Sequence, residues 1–203
     1  MRKKTYHHGD LKNALVTAGE EILNEGSVEA LSLRQVAKRA GVSHSAPYAH
    51  FADREALFAA ISAVGFEALY TRLNETLQAF QGDPAKALVE IALTYINFAL
   101  ERPMRFQLMF SGIVKDENKY PDLVIATHRT FALIENQAIA AQDIGLLRKG
   151  ESDILALSLW SLVHGFVCLY MEGQISTGIL NKGEVKKIVV ALLSQVTLKP
   201  ISL

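Results

Sequence analysis

Apolar residues recur every three to four positions along most of this chain, the spacing that places them on one face of an α-helix. The first helix is predicted between Asp10, which suits an N-cap, and Gly26, which suits a helix end. Its apolar stripe is Leu11, Leu15, Ala18 and Ile22. No segment shows the strict alternation of a half-buried strand, so the pattern predicts an all-α fold.

Two short helices and a long one follow. Ser32 suits the N-cap of "LRQVAKRA", which Gly41 ends, and Ser43 suits the N-cap of "HSAPYAHF". Asp53 then precedes a long helix that runs to about Phe80. A short helix, a turn led by glycine and a second short helix form the helix-turn-helix pattern, although an ordinary tight helical hairpin has the same outline.

The remainder of the chain is also predicted to be helical. The stretch "QGDP" (81–84) marks the best break between two parts of the chain. Beyond it the pattern predicts helices over 84–101, 103–110, about 122–142, 151–172 and 182–197. The last two are separated by the glycine-rich "EGQISTGILNKG".

One segment requires a test for a membrane span. Residues 154–171 contain no Asp, Glu, Lys or Arg, and 18 residues are close to the shortest length that crosses a bilayer. However, Ser158, Ser161, His164 and Gly165 interrupt the apolar run. We therefore expect a helix that is covered on all sides, inside a bundle or in a dimer, rather than a membrane anchor.

Composition restricts the class of protein only moderately. Lys plus Arg and Asp plus Glu both total 21, so the net charge neither favours nor excludes a nucleic-acid partner. The single cysteine, Cys168, excludes an intrachain disulfide and any zinc site built from several cysteines. The first ten residues show no secretory signal. Together these features suit a cytoplasmic protein.

Two parts of the sequence resemble a known family. Residues 6–61, including "LRQVAKRAGVS" and "YAHFADREAL", resemble the N-terminal DNA-binding domain of TetR-family transcriptional regulators. Further along, "ERPMRFQLMF" (101–110) and "WSLVHGF" (160–166) resemble the subgroup whose C-terminal domain carries a Trp-His-Gly motif.

This resemblance implies an architecture and a function. Residues 1–55 would form a three-helix DNA-binding domain, with the helix-turn-helix at about 32–51. A long helix would join it to residues 56–203, a helical bundle that binds an effector and dimerises. The homodimer, formed through helices at about 151–172 and 182–197, would place two reading helices about 34 Å apart, or a multiple of that distance, on a palindromic operator. The expected function is a repressor released by a small-molecule effector that is partly apolar.

The resemblance also assigns DNA contacts. His44, Ser45 and Ala46 would face base edges, where His and Ser can donate hydrogen bonds and Ala46 can pack on a thymine methyl group. Tyr48 and His50 would contact phosphates.

Further DNA contacts are expected around these five residues. Ser32 and Ser43 offer hydroxyl and backbone N–H groups at helix N-termini. Arg54 stands where many family members have lysine and would bind a phosphate. Arg34 and Gln35 are either flanking contacts or parts of an exposed helix face.

The electrostatic signal for DNA binding is weak in the sequence. The first 54 residues hold eight basic and six acidic residues, a balance of +2. This balance becomes useful only if the cations share a face. Arg2, Lys3 and Lys4 form either an arm that contacts phosphates or a solvated chain end.

Eight residues are candidates to line an apolar effector cavity, or else are ordinary core residues. They are Tyr95, Phe98, Phe106, Met109, Phe110, Phe131, Trp160 and His164. His164 lies in an uncharged helix and must find a hydrogen-bond partner, which is either another core group or a bound ligand.

Metal binding and catalysis are not indicated. His44 and His50 are six residues apart, which turns them about 120° from each other on a helix, so they diverge rather than converge on an ion. No nucleophile–base arrangement or phosphate-binding glycine loop is present, and we predict no cofactor and no enzyme activity. The main alternative is a helical ligand- or partner-binding protein that does not bind an operator.

Overall fold

The computed structural model describes residues 8–180 and 184–201, and within these ranges it contains helices and no strand, which confirms the all-α prediction. The α-helices are α1 (His8–Glu25), α2 (Leu33–Ala40), α3 (Arg54–Ala79), α4 (Pro84–Glu101), α5 (Pro103–Met109), α6 (Pro121–Asp143), α7 (Ser152–Met171), α8 (Thr177–Leu180) and α9 (Val185–Leu193). The same ranges contain single 3-10 turns at Val28–Ala30, Ala46–Ala49 and Glu117–Lys119.

The chain packs into two compact units. The N-terminal unit comprises the residues up to Phe66 together with Arg102–Ala126, and the C-terminal unit comprises Glu67–Glu101 and the chain from Thr127 onward. Helix α5 and the loop after it, expected in the C-terminal part, therefore pack with the helix-turn-helix.

Local capping in the N-terminal unit follows the sequence at three places. The Ser32 hydroxyl accepts a hydrogen bond from the Gln35 N–H (3.3 Å), and Asp53 Oδ1 accepts one from the Ala56 N–H (2.8 Å). Gly41 has φ of 68°, the left-handed conformation that glycine adopts without a steric penalty. The N-cap predicted at Asp10 is wrong, because α1 already begins at His8.

The segment expected to be the second helix of the motif is shorter than predicted. Only Ala46–Ala49 is helical, and it is a 3-10 turn rather than an α-helix. Pro47 has no N–H to donate, and the backbone closes i→i+3 bonds, from Tyr48 to Ser45 and from His50 to Pro47. Ser43 does not cap a helix; its hydroxyl lies 3.1 Å from that of Ser45. We call residues 43–50 the reading turn.

The core of the N-terminal unit joins α1, α2, α3 and α5. Gly19 on α1 lies so close to α3 that a Cβ there would come within 2.5 Å of Ile61 Cδ1. Leu108 of α5 belongs to the same core as α1, α2 and α3. Its most buried members are Leu15, Leu23, Leu31, Val36, Phe51, Leu57, Phe58, Ile61 and Leu108. This shared core fixes the orientation of the reading turn.

The C-terminal unit packs α4, α7 and α9 around buried Leu88, Ile96, Phe98, Val167, Val189 and Leu193. The helix predicted over 182–197 ends earlier, at Leu193. Beyond that point the Leu198 N–H donates to the Leu146 carbonyl (2.8 Å), so the chain leaves the helical path for a contact 52 residues away in sequence. Residues 181–183 lie outside the described ranges.

Within the described ranges, two helices are long and apolar enough to cross a membrane by length and composition, α3 and α7. In α3, 56% of the most apolar window is already buried within the protein, as expected for a core helix. In α7 only 28% is buried. Helix α7 therefore has an apolar face that the described residues leave uncovered.

Candidate nucleic-acid interface and effector cavity

The residues predicted to face DNA lie on two neighbouring elements, the start of α2 and the reading turn. Arg34 and Gln35 are exposed on the first turn of α2. Ser43, His44 and Ser45 are exposed on the turn that follows Gly41. Ser32 and Ala46 are partly buried beside them. The structure therefore leaves polar side chains accessible to solvent on both elements.

The two predicted phosphate-contacting residues have different surroundings. The Tyr48 side chain is 62% exposed, which is unusual for an aromatic residue on a well-packed turn. His50 is half-buried, and its Nε2 is covered and has no hydrogen-bond partner among the described residues. Tyr48 is therefore accessible to a partner as it stands, whereas Nε2 of His50 is not.

One cation of this region already forms salt bridges with acidic residues of the same chain. Arg39, at the end of α2, pairs with Glu25 and with Glu21 of α1. The hydrogen bond to Arg39 lowers the pKa of Glu25, and the same contact raises the pKa of Arg39. Arg34 and Lys38 are left as exposed cations on α2. Lys3 and Lys4 lie outside the described residues.

Arg54 also makes contacts within the protein. Its Nε donates to the Leu31 carbonyl (2.7 Å), and its Nη2 donates to the carbonyls of Val28 (2.8 Å) and Glu29 (3.2 Å). The guanidinium carbon lies 4.6 Å from the centre of the Phe58 ring. These long-range contacts could not be predicted from the sequence. There, the family resemblance assigned Arg54 only to phosphate binding.

The C-terminal unit contains a series of polar side-chain groups that contact one another among aromatic rings. Trp160 Nε1 donates to the Tyr95 hydroxyl (3.1 Å), which lies 2.7 Å from His164 Nδ1. His164 Nε2 lies 3.4 Å from Cys168 Sγ. Phe131 completes the cluster with an edge-to-face contact to Trp160 at 6.2 Å between ring centres.

The chemistry of this chain of groups favours neutral forms. Burial lowers the pKa of His164 and raises that of Tyr95, so the imidazole and the phenol are both uncharged at neutral pH. Because Trp160 can only donate, the Tyr95 O–H can in turn donate a hydrogen bond to His164 Nδ1. Burial and the nearby Glu172 raise the pKa of the Cys168 thiol. The contact between His164 and Cys168 was not predicted, although their four-residue spacing on one helix could have indicated it.

Next to these groups lies an apolar cavity of about 40 Å³. Tyr95 and Trp160 line it together with Leu73, Leu88, Ile91, Ala92, Ile134, Leu159, Val163 and Leu193. A ligand pocket usually has about 300–1,000 Å³, so an effector larger than a few atoms requires this cavity to expand. Of the predicted lining residues, Phe98 is instead buried in the core of the unit.

Three predicted effector residues belong to the other unit. Phe106 and Phe110 pack together at 4.8 Å between ring centres, and Phe110 meets Phe66 edge-to-face at 5.3 Å. Met109 packs against Gly65, where a Cβ would come within 2.6 Å of its sulfur atom. These contacts give the three residues a packing role between α3 and α5 in the N-terminal unit.

Comparison with known proteins identifies the family. The family model for bacterial regulatory proteins of the tetR family matches residues 15–61, and the model for the tetracyclin repressor-like C-terminal domain matches residues 88–193. The chain belongs to the TetR family of transcriptional regulators. TetR-family regulators bind DNA operators, dimerise and bind small-molecule ligands. The Trp-His-Gly subgroup is not singled out by these matches and stays a prediction.

Relatives of this TetR-family protein include a curated regulator and solved structures. The HTH-type transcriptional regulator YobS of Bacillus subtilis is 26% identical over 164 residues, which cover 79% of each chain. A protein of unknown function from Rhodococcus sp. RHA1 is 30% identical, covers 96% of this chain and 97% of its own, and has a TM-score of 0.77. The regulator PfmR of Thermus thermophilus shares the fold at 17% identity, with a TM-score of 0.65 and coverage of 90% and 96%.

Proposed function

We propose that this TetR-family protein is a repressor that binds a palindromic operator as a homodimer. The observation that carries the proposal is the reading turn, which presents His44, Ser45 and the largely exposed Tyr48 on the surface of a matched DNA-binding domain. His44, Ser45 and Ala46 would read base edges, and Tyr48 would hold a phosphate. We also propose that, as a transcriptional regulator, it acts in the cytoplasm.

Further contacts would surround this centre. Ser32, Arg34 and Gln35 are placed at the start of α2, whose backbone N–H groups suit an anionic phosphate. Ser43 and His50, the first and last residues of the reading turn, would add contacts at its two ends. Lys3 and Lys4 would add to the phosphate contacts if the N-terminal residues reach the duplex.

The operator contacts are tested with a His44→Ala variant. An operator selected from random duplexes with the wild-type protein should bind the variant about 5- to 150-fold more weakly, as for loss of one base contact of about 1–3 kcal/mol. The preference at the affected base pair should also relax. A Tyr48→Ala variant should instead weaken binding to all sequences alike.

His128→Ala is the matched control, because His128 is an exposed histidine on α6. It should leave affinity and sequence preference unchanged. A His44→Ala protein with wild-type affinity and wild-type preference would refute the base-reading assignment. If the wild-type protein enriched no duplex, the alternative of a ligand-binding protein without an operator would be favoured.

We further propose that the effector is small, uncharged and mostly apolar, and that it binds at the Tyr95–Trp160 cavity. Apart from these two residues, the cavity walls are aliphatic, and they offer no charge to an ionised ligand. Because the cavity is small, binding requires the surrounding helices to move. Helix α3 contributes Leu73 to the cavity and Arg54 to the N-terminal unit, so it is the element that would carry the change to the reading turn. Such linkage requires that the effector bind the two forms with different affinity.

The effector proposal is tested by screening uncharged apolar compounds for stabilisation of the protein. A compound at 100 times its Kd should raise the free energy of unfolding by about 2.7 kcal/mol and lower operator affinity about 5- to 150-fold. An Ala92→Leu variant, which fills the cavity, should lose both effects. Ala132→Leu, on the exposed face of α6, should keep both. A compound that stabilises the wild-type protein yet leaves operator affinity unchanged would contradict the linkage.

A further inference from the structure

Arg54 is a cation at a helix N-terminus, a position that disfavours positive charge unless hydrogen-bond acceptors stabilise it. It is the first residue of α3, where the unpaired backbone N–H groups of a helix carry partial positive charge. Three of its five N–H groups are nevertheless used within the protein, on the carbonyls of Leu31, Val28 and Glu29. Its guanidinium also stacks over Phe58, which is fully buried.

The acceptors of these hydrogen bonds belong to a weak structural element. The Val28–Ala30 turn is closed by backbone bonds of 3.2 Å from Ala30 to Ser27 and from Leu31 to Val28, and Ser27 provides no side-chain cap. A single 3-10 turn of this kind has poor hydrogen-bond geometry by itself. The planar fork of an arginine can bind three carbonyls in a fixed arrangement, whereas the single ammonium of a lysine cannot.

The bonded residues connect the two DNA-facing elements. Leu31 is fully buried and directly precedes Ser32, the N-cap of α2. Arg54 follows the reading turn by four residues. The hydrogen bond from Arg54 to Leu31 therefore ties the start of α2 to the end of the reading turn, across 23 residues of sequence.

We propose that Arg54 is a positioning residue that holds the start of α2 and the reading turn in register. Its guanidinium binds the internal carbonyl groups rather than a DNA phosphate. The proposal rests on the proposed function, because the register matters for reading an operator. It replaces the role that the family position suggests for this residue.

The test compares Arg54→Lys with Arg54→Gln. Arg54→Lys keeps the charge and loses the fork, so it should lower the melting temperature by about 4–8 °C. At 10 °C, where the variant is folded, its ratio of operator affinity to affinity for a 30-base-pair duplex of arbitrary sequence should fall about 10-fold. Arg54→Gln should do the same, and neither variant should change the slope of log K against log salt on the arbitrary duplex.

A phosphate contact predicts the opposite pattern. Arg54→Lys would then match the wild-type protein, and Arg54→Gln would reduce the salt slope by about 0.9. Either result would overturn the proposal, as would a lower melting temperature with an unchanged affinity ratio. Arg34→Gln is the reference, because Arg34 is an exposed cation at the start of α2 and should reduce the salt slope without loss of stability.

A readout without DNA separates this proposal from the proposed function. Amide hydrogen exchange of residues 33–36, the first turn of α2, should be faster in Arg54→Lys than in the wild-type protein at 10 °C. If the wild-type protein bound no operator, the proposed function would fail while faster exchange still supported the positioning role. Unchanged exchange and an unchanged melting temperature would refute the positioning role whatever the DNA result.

Discussion

Replacing Phe58 by alanine should lower the free energy of unfolding of the N-terminal unit by about 3–5 kcal/mol, the usual cost of truncating a fully buried phenylalanine. The side chain lies in the core shared by α1, α2, α3 and α5, and it also supports the guanidinium of Arg54. Its loss leaves a cavity where four helices meet. Operator binding and arbitrary duplex binding should both fall, because the folded fraction falls.

The measurement is urea unfolding followed by far-UV circular dichroism. The fluorescence of Trp160, the one tryptophan of the chain, reports on the C-terminal unit and should shift less than the dichroism. Tyr48→Ala is the matched control, since it removes an exposed aromatic ring and should change stability by no more than about 0.5 kcal/mol. A loss of less than about 1 kcal/mol in Phe58→Ala would mean that this core does not hold the unit together.

The second large effect is expected at α7, which we propose as the centre of the homodimer together with α9. Ile154, Leu157 and Leu169 are each about half-exposed on one face of α7. Gly165 lies on the same face, and a Cβ there would meet no atom within 4 Å. An apolar face with an open glycine suits a second copy of the same helix, because small residues allow two helices to approach closely. Val196 and Leu198, which follow the end of α9, are also exposed.

A Leu169→Glu variant should therefore be a monomer at micromolar concentration, and its operator affinity should fall by at least about 100-fold. Burying an unpaired carboxylate in an apolar interface costs several kcal/mol, and a monomer reaches only one half-site of a palindrome. Sedimentation equilibrium gives the oligomeric state, and a duplex with both half-sites gives the affinity.

Ile144→Glu is the matched control, because Ile144 is as exposed as Leu169 but lies outside α7, just after α6. It should leave both the dimer and the operator affinity intact. If Leu169→Glu remained dimeric with wild-type affinity, the α7 face would not be the dimer interface.

Sequence prediction worked where the determining contacts were local. The helix-turn-helix was predicted because Ser32, Gly41 and Asp53 act on backbone groups within three to five residues. The position of the reading turn in the sequence was predicted correctly, but its type of helix was not. The segment "HSAPYAHF" was expected to be a short helix, but it contains only a single 3-10 turn, in which Pro47 has no N–H to donate.

Prediction of the sites was less complete because their contacts span long stretches of sequence. The need of His164 for a partner was evident from its uncharged helix, but the partner, Tyr95, lies 69 residues away. Phe106 and Phe110 were grouped with the effector residues because they share their apolar, aromatic character. Their place against Phe66 depends on how α5 packs, which hydrophobicity alone does not specify.

The sequence by itself determined the all-α class and the family, because helical periodicity, capping and a long motif are all local properties. The tertiary structure alone decided that Arg39 is paired with α1, that Arg54 binds three carbonyls, and that α7 keeps an open apolar face. These depend on which helices become neighbours, and that is settled by burial of the whole core rather than by any one stretch of residues.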